Sequence, residues 1–299
     1  MTKHIYKLLI KYTSLKFFFH VNYYYIHLKT KKTPDILNIN NPKTFTDKIL
    51  HLKLYNRFKG ANNLVDKFQV RSYIENVLGK SYLIPLIYHT DNVENINFSD
   101  LPKKFVLKAN HSSAQNLIVK DSNALNFDLV KKTLNSWLNT DYENTGEWQY
   151  DHISKKILVE KFLENDPDNP LYDYKFFCFN GKPLFIQVDI DRETNHKRIF
   201  YDLNWKKLKF NILYETSDLN LIKPINLDKM IICAQKIALD LLTNTPFVRV
   251  DLYDHNEEVK FGEITFHPEG GFGPVYPKKF NKHLGDLLQI NNLHFKKYL

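Results

Sequence analysis

The sequence predicts an α+β fold, mostly antiparallel sheets with helices on one side. Three observations lead there. Helical spacing dominates the first part of the chain, whereas apolar residues two apart dominate after about residue 100. Asn180–Gly181 joins two alternating runs, the turn chemistry of a two-residue hairpin. Strands then follow one another without the strand–helix–strand rhythm of a parallel sheet. With 299 residues the chain suggests about two domains, and 43% hydrophobic residues suffice for a core.

The elements follow in order. Residues 1–40 read as a basic amphipathic segment. Ile5, Leu8, Leu9 and Tyr12 recur at helical spacing among Lys3, Lys7, Lys11 and Lys16, and "KFFFHVNYYYIHLK" comes next. Two readings stand: a helix docked on the domain, or peripheral membrane contact through residues 1–28. No uncharged stretch approaches the roughly 20 residues of a membrane span, and no secretory apolar core is present. Residues 41–100 form a helical and mixed region. "NNPKTFTDKILHLKLYNRF" predicts a helix capped at Thr44 or Thr46. "NLVDKFQVRSYIENVLG" predicts a second, stopped by Gly79. "YLIPLIYHT" predicts a buried strand with Pro85 at an edge or bulge.

Residues 101–299 form the principal domain, divided into 101–160 and 161–299. Strands are expected at 104–109 and 115–121 around a tight connection, and a helix on "FDLVKKTLNSWLN". A strand at 155–163 and a hairpin over 172–191 follow. "KRIFYDLNWKKLKF" predicts a strand pair turning near Asn204, and 227–242 a helix. "FVRVDLYD" and "VKFGEITF" predict a last hairpin.

A net charge of +9 permits an anionic partner such as a nucleotide, an anionic glycan or a membrane surface. The basic residues are spread out and no nucleic-acid motif accompanies them, so no nucleic acid is expected. Cys178 and Cys233 each lie in an apolar run and read as reduced, buried thiols of a cytoplasmic protein.

The last hairpin carries the most informative polar residues. Residues two apart on a strand share a face, so Arg249 pairs with Asp251 and Glu263 with Thr265. Two carboxylates on rigid strands make a hard-oxygen site suited to Mg²⁺ on phosphates, and an Arg beside them stabilises growing negative charge. The plainer alternative is an outward polar face. Lys108 ends an apolar strand before a turn holding Ser112 and Ser113, where an ammonium group reaches phosphate oxygens. Glu160 follows four apolar residues at a strand end, and Lys175 shares a face with Asp173. Taken singly, each also fits a surface charge or a structural ion pair.

The order of these pieces resembles the ATP-grasp superfamily, and from about Asn41 to Leu288 more narrowly the TupA-like ATP-grasp proteins. The phrases "NPKTFTDKI", "FVLKANH", "DYKFFCFNGKP", "YDLNW" and "GEITFHPEGGFGP" carry the resemblance by order and spacing. It implies an ATP-grasp fold, two α+β subdomains with antiparallel sheets gripping ATP. By match of motif, Lys108 and Lys175 hold phosphates, and Glu160 with the backbone of Lys161, Phe162 and Leu163 meets adenine. Asp251 and Glu263 bind Mg²⁺, Arg249 stabilises the transition state, and Asp166 or Asp168 meets the ribose. Two departures stand out. Thr265 occupies a metal position that is usually Asn, and "NHSSAQN" has no glycine where the phosphate turn usually has several.

The resemblance implies an ATP- and Mg²⁺-dependent carboxylate–amine ligase working through an acyl phosphate, in capsule or other cell-surface polysaccharide biosynthesis. Its substrates would be a carboxylate and an amine, such as a uronic-acid glycan or an amino acid. Asp189, Asp191, Arg192, His196, Gly270 and Gly271 would then face the acceptor. A different class, glycosyltransferase, rests on Asp189 and Asp191 as a metal-binding D-x-D in "QVDID". A non-catalytic nucleotide-binding protein is the third reading. The expected location is cytoplasmic, at the inner face of the cell membrane if residues 1–28 touch it.

Overall fold

The computed structural model describes residues 13–141, 146–164, 170–192 and 194–290. The helical spacing at Ile5–Tyr12 and the ribose candidates Asp166 and Asp168 lie outside them. Helix α1 (Leu15–Lys29) starts where the Ser14 hydroxyl accepts the Phe17 N–H. Helix α2 (Phe45–Tyr55) starts at Thr44 and not Thr46: Thr44 and Asp47 cap each other's backbone in a capping box. The single helix expected at 63–79 is two, α3 (Ala61–Val65) and α4 (Val70–Val77). Asp66 breaks it, because its carboxylate accepts the N–H groups of Phe68 and Gln69 in place of an unbroken helical ladder. Strand β1 (Leu86–Thr90) follows Pro85 and is largely exposed, not buried as expected, because it lies at a sheet edge.

Next come β2 (Phe105–Ala109), β3 (Asn116–Val119), α5 (Phe127–Leu138) and β4 (Ile157–Lys161). The predicted hairpin forms as β5 (Asp173–Phe179) and β6 (Lys182–Ile190), turning on Asn180 and Gly181 at φ 51° and 80°. Then follow β7 (Lys197–Asp202) and the short β8 (Asn211–Ile212). The strand pair expected here is thus one strand. The Asp202 carboxylate accepts the N–H groups of Asn204 and Lys206, and the returning chain makes one bridge, Tyr201 to Lys207, before leaving the sheet. Helix α6 (Leu227–Asp240), the hairpin β9 (Phe247–His255) and β10 (Glu258–Thr265), β11 (Val275–Tyr276) and α7 (Lys278–Leu287) complete the chain.

Contacts group these elements into two units. One holds the residues up to Phe58 and from Tyr172 onward, with a short piece at 144–146; the other holds most of Lys59–Leu171. These limits differ from the boundaries expected at 40, 100 and 160, because α2 packs on α7 from the far end of the chain. In the first unit five antiparallel strands run in the order β10-β9-β5-β6-β7. One face of that sheet packs on α6 through residues such as Cys178, whose thiol meets the Ala234 carbonyl. The other face is divided along its length. Phe177, Phe179, Phe185, Phe200 and Phe247 bury against Phe45, Ile49 and Leu284 at one end. The second unit is a four-stranded antiparallel sheet, β1-β4-β2-β3, cored by Leu107, Val119, Leu134 and Val159.

Candidate functional site

The other end of the divided face is charged, and the register dictates it. Phe247 belongs to the aromatic cluster, and Arg249 and Asp251 follow two and four residues later on the same face. Asp251 pairs with Lys175 on β5, and Lys175 with Gln187 on β6. On β10 Gly262 is the extra residue of a bulge: Phe261 pairs with Leu252, whereas Glu263 pairs with Asp251. The bulge turns Glu263 to the side of Asp251, and a Cβ on Gly262 would meet the Asp251 carbonyl at 3.0 Å. The strands thereby fix a row Glu263–Asp251–Lys175–Gln187, with Thr265 opposite Arg249.

Within this row Arg249 is the hub. Its Nε donates to Asp251 Oδ1, and its Nη2 donates to both Asp251 Oδ2 and Glu263 Oε1, each at 2.7 Å. The Thr265 hydroxyl donates to the same Glu263 oxygen at 2.9 Å. Lys175 donates to Asp251 at 2.6 Å and to Asp173. Burial alone would discharge Arg249 and Lys175. The facing carboxylates outweigh it and raise both, Asp251 and Glu263 for Arg249, Asp173 and Asp251 for Lys175. Burial pushes the Asp251 carboxyl up, against the pull of Arg249 and Lys175.

A second cluster adjoins on β6 and β7. Arg198, opposite Asp189, donates through Nε to Asp189 Oδ1 at 2.7 Å and through Nη2 to Glu269 at 2.6 Å. It also donates to the Ile212 carbonyl. Burial would raise the Asp189 carboxyl, but Arg198 and Lys175 hold it well below the usual carboxylate range. His196 lies 3.2 Å from the same Asp189 oxygen and against the Tyr214 ring. Asp189 Oδ2 and Asp173 Oδ1 are buried with no hydrogen-bond partner among the described residues. Asp191, just past the strand end, is exposed and left-handed at φ 51°, whereas Asp189 is buried. Arg192 is exposed, 3.9 Å from Asp173. Gly270 and Gly271 serve their turn: both have positive φ, and a Cβ on Gly271 would meet Leu50 at 2.9 Å.

The second unit holds the remaining candidates. Lys108 on β2 donates to Glu160 on β4 at 2.7 Å, and Arg71 approaches the other Glu160 oxygen at 3.5 Å. Lys161 is exposed, and Phe162 and Leu163 continue the chain beyond the strand. The turn after β2 is pinned through Asn110, which bonds Asp66, Ser154 and Lys156. Ser112 is buried and its hydroxyl is spent on Gln115, contrary to its expected role as a free donor. Ser113 and Ala114 form the exposed tip, with Ala114 left-handed at φ 61° where a glycine was missed.

Arg198, Glu269, Gln187 and Arg71 escaped the sequence reading. For Arg198 a signal existed: it precedes the core residue Phe200 by two, which places it on the inner face opposite Asp189. The other three sit where only the folded register reveals a partner.

A family model, TupA-like ATPgrasp, matches residues 47–289. The chain belongs to that family. The TupA-like ATPgrasp assignment agrees with the two larger antiparallel sheets. A search of curated proteins found no match. Solved structures similar to this chain include D-alanine–D-alanine ligase from Bacillus anthracis, at 16% identity and a TM-score of 0.41, covering 68% of this chain and 56% of that one. The Helicobacter pylori D-alanine–D-alanine ligase is 13% identical with a TM-score of 0.45, covering 82% and 69%. N5-carboxyaminoimidazole synthase from Aspergillus clavatus, solved with ADP and 5-aminoimidazole ribonucleotide, is 12% identical with a TM-score of 0.43, covering 74% and 50%. The chain thus spans little more than half the length of the Bacillus enzyme.

Among the described residues no group of three or more His, Cys, Asp or Glu side chains is placed to hold a metal ion. Asp251 and Glu263 nevertheless fit a hard cation in their chemistry, because a single cationic atom, Arg249 Nη2, already touches an oxygen of each.

Proposed function

We propose that this TupA-like ATPgrasp protein is an ATP- and Mg²⁺-dependent carboxylate–amine ligase of capsule or other cell-surface polysaccharide biosynthesis. ATP phosphorylates a substrate carboxylate. An amine then attacks the acyl phosphate, leaving an amide, ADP and phosphate. The supporting observation is the row of Glu263, Asp251 and Lys175 around buried Arg249, fixed by the register of three strands in a chain of this family. Ionised groups buried on rigid strands are held ready for charge that develops on transferring phosphate.

The roles divide by chemistry. Lys108 and Lys175 hold phosphate oxygens, and Arg249 faces the charge of the transition state. Glu160 and the backbone of Lys161, Phe162 and Leu163 receive the adenine, with Ser113 rather than Ser112 donating from the phosphate turn. Asp251 and Glu263 hold Mg²⁺, with Thr265 alongside; the ion supplies neutralisation of the phosphate oxygens. Asp189, Asp191, Arg192, His196 and the Gly270–Gly271 turn belong to the acceptor side. The buried, unpartnered oxygens of Asp173 and Asp189 suit a substrate rich in N–H donors, which an amine is. The protein works in the cytoplasm at the inner face of the membrane, where surface glycans are assembled.

The test is ADP release from Mg–ATP in the presence of uronic acids paired with amino acids. Release that needs both a carboxylate and an amine supports the ligase. Release of UDP from a UDP-sugar, without ATP consumption, would replace it with the glycosyltransferase.

A further inference from the structure

One surface of the first unit is both apolar and basic. Helix α1 turns Phe18, Phe19 and Tyr23 into the core and presents Phe17, Tyr24 and Leu28 outward, 53%, 42% and 79% exposed. Positions 17, 24 and 28, with Val21 among them, form one stripe along a helix. The helix ends at Lys29; beyond it Lys31 is left-handed at φ 54° and its N–H bonds the Leu28 carbonyl, while the Lys32 N–H bonds the His27 carbonyl. This turn holds the backbone of both lysines against the last turn of the helix. The Lys32 ammonium lies 4.8 Å over the half-exposed Tyr276 ring. Lys278 donates to the Pro34 carbonyl at 2.8 Å and faces Asp35 at 3.5 Å. Beyond Asp35 stands Ile36, 88% exposed.

Lys32 and Lys278 thus tie together the segments that carry Leu28, Tyr276 and Ile36, with Lys29, Lys31 and Lys279 next to them in the chain. The acid among them, Asp35, is already answered by Lys278 and Asn281. Isolated exposed aliphatic side chains are ordinary, but exposed apolar residues on adjoining lysine-bearing segments mark a contact surface.

We propose that this face docks on an anionic lipid surface, with Leu28, Ile36 and Tyr276 entering the headgroup level and the lysines meeting lipid phosphates. The chemistry fits lipid specifically. Lysine is a flexible point charge that needs no fixed partner geometry; tyrosine suits the membrane interface; and the chain's charge of +9 complements an anionic leaflet. A second exposed stripe, Ile225, Ile232 and Leu239 beside and along α6, has exposed Asp228 and Asp240 among its lysines, which an anionic surface repels. The contact expected at residues 1–28 thereby extends from α1 to the loop after it, β11 and the start of α7. It rests on the proposed membrane-side location and not on the reaction.

The test is co-sedimentation of the full chain with vesicles of phosphatidylcholine alone or with about one-third phosphatidylglycerol. The wild-type protein should bind the anionic vesicles and release them at high salt. Leu28→Ser with Ile36→Ser, and separately Lys29→Glu with Lys31→Glu and Lys32→Glu, should each lower binding by about tenfold or more. Ile225→Ser with Ile232→Ser should bind normally, and all variants should bind Mg–ADP as the wild type does. The proposal is overturned if the wild-type chain ignores anionic vesicles, if the Leu28/Ile36 variant binds like wild type, or if binding follows the Ile225/Ile232 pair instead. Failure of the ligase reading would appear separately, as a wild-type chain that docks on vesicles but does not bind Mg–ADP.

Discussion

Arg249 holds two carboxylates that the proposed chemistry assigns to a metal ion, and that contact can be tested one residue at a time. Glu263→Gln keeps the size of the side chain and removes its charge. It should abolish Mg²⁺-dependent ADP release while leaving the unfolding midpoint close to wild type, because Glu263 is the more exposed of the two acids. Retained activity would move the metal elsewhere. Ala114 offers a second test. A left-handed backbone at φ 61° strains any residue with a Cβ, so Ala114→Gly should stabilise the protein by up to about 1 kcal/mol in urea denaturation. A loss of stability would mean the turn does not hold that conformation in solution. At this scale the sequence disclosed which acids and cations share a face, because strand alternation alone decides it. It did not disclose that Ser112 is consumed by Gln115, or that Arg198 reaches Glu269 71 positions away. Such partners depend on which strands become neighbours.

Among elements, hairpins were the most legible. Asn180–Gly181 announces its turn through residues that tolerate positive φ cheaply, and the loop between β9 and β10 falls between "FVRVDLYD" and "VKFGEITF" as expected. Breaks were hidden. Asp66 interrupts a helical pattern that apolar spacing alone continues, since a side chain bonding its own backbone leaves no mark on periodicity. Helix α7 packs closely on the start of α2 at Gly285. A Cβ on Gly285 would stand 2.2 Å from the Lys43 carbonyl oxygen and 2.7 Å from Thr44 backbone carbon. Both are backbone atoms, so they cannot swing aside. Gly285→Ala should therefore cost about 2–3 kcal/mol in denaturation, and an unchanged midpoint would show that α7 sits further from α2. No sequence pattern marks that pairing across more than 200 residues.

For the molecule as a whole, pH is a sensitive probe of folding. His111 is buried; burial first, then nearby Lys155, pull its imidazole down to about 4 from an ordinary 6.5. His267, also buried, is lowered well below its ordinary value in the same direction. The unfolded chain takes up these protons near 6.5 while the folded chain resists, so the unfolded state binds more protons between about 6.5 and 4. Their contribution is complete above 6.5 and is lost as pH falls through that window. Urea midpoints should drop between about pH 7 and 4, and His111→Gln should flatten part of the drop. An equal drop in that variant would assign the acid sensitivity to other groups.

The two sheets were legible as strand lists, and the family as a sequence of phrases. The grouping of α2 with α7, which draws the N-terminal segment into the larger unit, was not. Everything functional nevertheless hangs on whether these strands serve a nucleotide. The direct measurement is calorimetric titration of the purified chain with Mg–ADP, then with UDP and a UDP-sugar, for wild type and Lys108→Ala. The account predicts Mg–ADP binding that is lost or greatly weakened in Lys108→Ala, with a fold intact by circular dichroism, and no heat from the UDP ligands. Binding of UDP ligands alone, or Mg–ADP binding indifferent to Lys108, would contradict it.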